Sequence, residues 1–211
     1  SPSDRSVAMM ATVSPSGESA NSSTKENRSA RVTATCIGAG VGPTLIDRVI
    51  GVAKAYISRV GTGPFPTELL DETGDRMIEI GGEYGVVTGR RRRCGWLDAV
   101  ALRYSARVNG LTEIALTKLD ILSSFDPIKI AVAYEHEGVR YDEFPRQQTV
   151  LYHCTPIYEE LEAWNTDIAR ISSYDDLPGA AKRYVERVEE LSGVRVSSVG
   201  VGPGREATLM R

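Results

Sequence analysis

Three short stretches carry residue types and spacings that could do chemistry. The first is "TGRRRRCG", residues 88–95, which sets four consecutive arginines among glycines in a chain whose formal net charge is only -3. A guanidinium is a planar fork that bonds carboxylates and phosphates through two parallel hydrogen bonds, and Thr88 with the Gly89 backbone adds neutral donors. In an extended loop successive side chains point to opposite faces, so Arg90 and Arg92 would share one face and Arg91 and Arg93 the other. An inward-facing pair predicts a small anion; a solvated charge run is the competing reading.

The second stretch is "LTKLD". Its Lys118-x-Asp120 pair suits guanine, because one carboxylate can accept from both the N1 and N2 donors of that base while a lysine stem lies over the ring. Adenine offers no such donor pair, and a surface ion pair is the alternative. The third is "SVGVGPGR", where Gly200, Gly202 and Pro203 would let backbone approach a flat ligand closely. A plain turn explains that stretch equally well.

The elements that must hold these residues can be read from periodicity and punctuation. "LIDRVIGVAKAYISRVG" repeats apolar residues at Leu45, Ile46, Val49, Val52, Ala53, Tyr56 and Ile57, which predicts an amphipathic helix stopped at Gly61. "GTGPFPTELLDETG" has two prolines in close succession and predicts a structured loop. A helix is expected from about Trp96 to Val108, ended by Asn109 and Gly110, and a buried strand from Glu113 that brings Lys118 and Asp120 to its carboxyl end. "KIAVAYEHEGVRYDEF" predicts a hairpin turning near Glu137 and Gly138. Asp175 or Asp176 is the expected N-cap of a helix with Pro178 in its first turn, ended by Gly193 and followed by a last strand. That order of elements suggests an α/β sheet.

Composition narrows the function. Hydrophobic residues at 41% and charged residues at 25% are those of a globular chain, and no apolar run approaches the roughly 20 residues that span a bilayer. A pI near 5.6 argues against a general nucleic-acid binder, so an RNA-binding module built on Arg90 to Arg93 is disfavoured. Cys36, Cys94 and Cys154 are odd in number and widely spaced, with only His136 and His153 to assist them, which suggests neither disulfide framework nor zinc site and fits a cytoplasmic setting. Residues 1–35 are crowded with Ser, Thr, Asn, Pro and Gly without apolar period, and are expected to be disordered or unrelated to residues 36–211.

Taken in order, "GVGPT", "KAYISRVGTGPFPTEL", "GEYGVVTGRRRRCGWLDAVALRY", "NGLTEIALTKLDIL", "DLPGAAKRYVERVEEL" and "VGVGPGREAT" resemble the C-terminal part of adenylosuccinate synthetase over about residues 36–211. The resemblance implies a P-loop-GTPase-like α/β fold, with a mostly parallel central sheet flanked by helices and its N-terminal half missing. It implies a cytoplasmic homodimeric ligase of AMP biosynthesis that joins IMP to L-aspartate at the expense of GTP, with magnesium and without nucleic-acid or membrane partners. Lys118, Asp120, Gly200, Gly202 and Pro203 then match guanine contacts, Val60 and Gly61 the IMP ribose, and Val87, Thr88, Arg90 and Arg92 the loop that grips aspartate. Arg92 also reaches the nucleotide.

Two positions depart from the family pattern: Val87 stands where threonine is usual, and Gly200 where serine is often found. A larger departure is that no G-x-x-x-x-G-K occurs, and neither histidine lies in the context of the family's catalytic one. No catalytic residue and no metal ligand is therefore assigned. The sequence is expected to be a truncated or frame-shifted product, or one with a mis-called start, inactive by itself; a non-enzymatic guanine-nucleotide-binding or interaction remnant is the alternative.

Overall fold

The computed structural model describes residues 7–12 and 38–211. Its central feature is a five-stranded sheet in the order β1 (Val7–Thr12), β2 (Ile46–Lys54), β6 (Glu113–Thr117), β10 (Arg195–Gly200) and β11 (Thr208–Met210). The first four strands pair in parallel and β11 closes the far edge antiparallel to β10. The sheet is therefore mixed rather than parallel throughout.

The strand β2 replaces the helix expected over Leu45 to Ile57. Its core-facing residues Val49, Gly51 and Ala53 alternate with half-exposed neighbours, which is the period of a strand. Val49, Val52, Tyr56 and Ile57 also fall at helical spacing, so the apolar pattern fitted both periods. The decision lies in β-branched residues and in a position between two partners, which supplies backbone hydrogen bonds on both edges. After a break at Ala55 and Tyr56, β3 (Ile57–Arg59) pairs antiparallel with β4 (Arg93–Gly95). The outer partner of β2 is β1, from the segment expected to be disordered, so an edge of exposed amides and carbonyls recruits a strand whose sequence carried no period.

A second, four-stranded sheet gathers on β7 (Ile128–His136). That strand pairs in parallel with β5 (Leu97–Asp98) and antiparallel with β8 (Val139–Tyr141) and β9 (Thr155–Leu161). The hairpin turns at Glu137 and Gly138 as expected, both at positive φ. Between the strands lie the α-helices α1 (Glu72–Gly81), α2 (Ala99–Asn109), α3 (Gln148–His153) and α4 (Gly179–Ser192). Asp98 caps α2 through the Ala101 amide and accepts from the buried Tyr134 hydroxyl, so one carboxylate joins the helix to β7. α4 begins after Pro178 rather than at the aspartates, which form a separate 3-10 turn over Tyr174–Asp176.

Helix α1 and strand β11 were not expected. α1 starts at the cap Asp71, whose side chain accepts from the Gly74 amide, and stops at Gly82 in the left-handed region. Its ten residues bury only Gly74, Met77 and Ile78, a face too narrow to stand out as a period.

Gly95 shows how tightly the loop of prolines is held. A Cβ there would overlap the Thr67 carbonyl, which belongs to backbone and cannot yield as a flexible side chain could. Gly95→Ala should cost about 2 kcal/mol by overpacking, read as a lower denaturant midpoint at unchanged slope. An unchanged midpoint would show that the close approach is not real.

Candidate functional site

Parallel pairing brings three functional segments to one end of the sheet. Lys54, last in β2, lies opposite Thr117, last in β6, and Val199 of β10 lies opposite Leu116. Lys54, Lys118 and Gly200 therefore sit at neighbouring carboxyl ends, the usual place for a ligand in an open α/β sheet. Gly200 packs close on Thr117: a Cβ there would lie 3.3 Å from the Thr117 Cα and 3.7 Å from the Lys118 nitrogen.

Lys118 leaves the strand with φ 61, a left-handed conformation that costs a non-glycine residue roughly 1–2 kcal/mol. Its ammonium donates to the Gly81 carbonyl at 2.6 Å and to Glu83 at 2.9 Å. The last turn of α1 carries no basic residue of its own, and Lys118 supplies the cation that its exposed carbonyls attract.

Glu83 is the residue that sequence reasoning missed. Its side chain is fully buried and accepts from Lys54 at 2.7 Å, Tyr56 at 2.6 Å, Lys118 at 2.9 Å and Arg92 at 3.0 Å. Burial by itself would push the carboxyl up, but the hydrogen bonds from Lys54, Tyr56 and Lys118 and the charge of Lys54 outweigh it and hold it at about 2. Burial likewise lowers Lys54 and raises Tyr56. No spacing rule marks a lone glutamate between Gly82 and Gly85. The only hint was that clustered cations require a counter-charge.

The arginine hairpin is built on backbone. Gly85 donates to the Arg90 carbonyl, Gly89 donates to the Gly85 carbonyl, and the Arg92 amide donates to the Glu83 carbonyl. Gly89 has φ 61, which a glycine adopts freely. The expected two-face alternation of the arginines is not what forms. Arg92 turns inward to Glu83, whereas Arg90 is exposed with its amide on the Thr88 hydroxyl. Arg91 pairs with Asp75, and Arg93 turns into the protein, where it forks onto Glu68 and donates to the Gly61 and Gly63 carbonyls at 2.8 Å each. A bulged hairpin held at Glu83 and Glu68 does not keep the strict alternation of a strand.

At the tip, Val86 and Val87 are 98% and 96% exposed. Val60 is exposed beside Gly61, whose φ is 93. Asp120 is half-buried, its carboxyl raised by that burial, and its Oδ1 has no hydrogen-bond partner; the Nε of Arg92 is unmatched in the same way. Gly202 meets Ala207, with Pro203 next in the same turn. The structure thus gathers Lys118, Asp120 and Gly200 at one strand end and joins Arg92 to Lys118 through Glu83. Thr88 and Arg90 stand farther out on the hairpin.

A family model described as adenylosuccinate synthetase matches residues 24–209. The chain belongs to the adenylosuccinate synthetase family. The match begins before Cys36, where the resemblance of motifs was expected to start. Adenylosuccinate synthetases of Frankia casuarinae and Thermobifida fusca are 57% and 56% identical to it over 187 and 174 residues, which is 89% and 82% of this chain but 43% and 41% of theirs. The fully ligated adenylosuccinate synthetase from Plasmodium falciparum matches with a TM-score of 0.79 at 36% identity, over 83% of this chain and 42% of that one. The chain thus spans about two fifths of the length of these adenylosuccinate synthetases. Among the described residues no helix is long and apolar enough to cross a membrane.

Because Glu83 ionises near 2 when folded against 4.5 for the free side chain, its contribution to stability is present above about pH 4.5 and is lost as pH falls toward 2. Glu83→Gln should cost about 3 kcal/mol at neutral pH and flatten the loss of stability between pH 4.5 and 2, followed by denaturant unfolding across that range. An acid limb as steep as in the parent chain would place the responsible carboxylate elsewhere.

Proposed function

We propose that this chain forms the guanine-binding and aspartate-binding side of an adenylosuccinate synthetase, the GTP-dependent ligase that converts IMP and L-aspartate to adenylosuccinate, GDP and phosphate. The observation that carries this reading is the unmatched carboxylate oxygen of Asp120, two residues beyond Lys118 at the end of β6. A buried carboxylate oxygen without a donor is costly, and the N1 and N2 groups of guanine supply two donors on one edge. The Lys118 stem would carry the ring, and the turn of Gly200, Gly202 and Pro203 would close over it.

On the other side, Thr88, Arg90 and Arg92 would hold the two aspartate carboxylates and leave the amine free to attack a purine carbon, with Arg92 also touching the nucleotide. The backbone at Val60 and Gly61 would meet the IMP ribose. Val87 offers a methyl surface where a threonine would offer a hydroxyl, and Gly200 lacks the hydroxyl of a serine, so each would remove one polar contact. The homodimer, the cytoplasmic setting and the P-loop-GTPase-like architecture of the whole enzyme belong to the same proposal.

Among the described residues no group of three or more His, Cys, Asp or Glu could hold a metal ion; magnesium ordinarily takes one or two carboxylates and completes its shell with phosphate and water oxygens, so it belongs to this proposal together with the phosphates of GTP. The proposed role is binding and orientation, since the chain spans about two fifths of the length of its relatives, and residues 36–211 alone would form no adenylosuccinate.

Titration with GDP and ADP tests the reading. GDP should bind in preference to ADP, and Asp120→Asn should weaken GDP by about tenfold or more, since a hydrogen bond to a charged group is worth about 1.5–3 kcal/mol. Equal binding of the two nucleotides, or GDP binding indifferent to Asp120→Asn, would remove the base pocket. In a coupled assay the 211-residue chain should give no adenylosuccinate; turnover would contradict a role limited to binding and orientation.

A further inference from the structure

The proposed base-binding and dicarboxylate-binding groups do not merely lie near each other; they share a counter-ion. Lys118, Lys54 and Arg92 surround Glu83, and each cation keeps about a third of its side-chain surface exposed while the carboxylate keeps none. Three positive charges on one carboxylate leave two uncompensated, so the cations compete for Glu83 and repel one another. Oε1 takes Lys54, Tyr56 and Lys118, and Oε2 takes Arg92. The Glu83 carbonyl also accepts the Arg92 amide, so the same residue anchors the hairpin by backbone and by side chain.

From this geometry we infer that Glu83 is a positioning residue that couples the two sides of the site, so that a change in the hold on Lys118 alters the hold on the arginine hairpin. This inference rests on the proposed function for the identity of the ligands, but the coupling itself is a property of the ligand-free chain. When an anionic group draws Arg92 away, the full negative charge of Glu83 falls on Lys118 and Lys54, which fixes the lysine stem as a platform. Conversely, when Lys118 is removed, Arg92 loses a competitor and the hairpin tightens. Dicarboxylate and base should therefore bind with positive cooperativity, each favouring the arrangement the other requires.

Hydrogen exchange at the Gly85, Gly89 and Arg92 amides reads the hold on the hairpin directly, since all three are bonded within it or to Glu83. In the ligand-free chain, Lys118→Met should slow exchange at these amides by about fivefold, a coupling at the lower end of the usual range. Lys118→Arg keeps the competing charge and should restore the parent rates. A merely structural role for the lysine predicts the opposite, faster exchange throughout the protein. In a Glu83→Gln background the Lys118→Met effect should vanish; if Glu83→Gln does not fold, the two Lys118 variants decide. Hairpin rates unchanged or raised by Lys118→Met, or unrestored by Lys118→Arg, would overturn the coupling. Adding GDP to the parent chain separates the two readings: failure to bind counts against the base pocket, while the ligand-free comparison alone judges Glu83.

Discussion

A single buried carboxylate sets the arrangement of this site. Glu83 lies just after a helix, yet its four partners come from β2, from the break that follows β2, from the end of β6 and from the arginine hairpin. Burying that charge without partners would cost several kcal/mol, so the elements that carry the donors must converge on it. The constraint explains why Lys118 keeps a left-handed backbone, because that turn sends its side chain back to Gly81 and Glu83. It also turns Arg92 inward, while Arg93 is held by Glu68 and Arg91 by the surface Asp75.

The sheet makes the convergence possible. Parallel pairing of β2, β6 and β10 puts their carboxyl ends on one side, so residues far apart in sequence become neighbours without long loops. Gly200 meets Thr117 closely because two backbones approach there, and the Arg93 fork ties the 61–63 turn to the hairpin. The second sheet and the helices supply the packed base: Tyr184 of α4 is fully buried and donates to the Ala55 carbonyl at the break after β2. The site therefore rests on packed elements, with the hairpin tip of Val86 and Val87 standing out from them.

Much of this was legible in the sequence, and the failures have physical reasons. Helix ends at Gly110 and Gly193 were readable because left-handed caps call for glycine, and the hairpin at Glu137 and Gly138 because a tight turn does as well. The position of Lys118 and Asp120 followed from a strand that ends beside them. The identity of β2 was not readable, since its apolar residues fit two periods and only its neighbours choose between them. Glu83 was invisible for a related reason: its partners are nine to thirty-five residues away in sequence, and a single acid has no spacing. The arginines could be identified as anion-holding residues, but which of them turn inward depends on where the acids lie in space.

A crystal structure of the chain with bound GDP tests the central claim most directly. The account predicts the base against the Lys118 stem with its N1 and N2 edge on Asp120, while Glu83 still holds Lys118. A base bound away from the carboxyl end of β6, or a Lys118 turned away from Glu83, would contradict it.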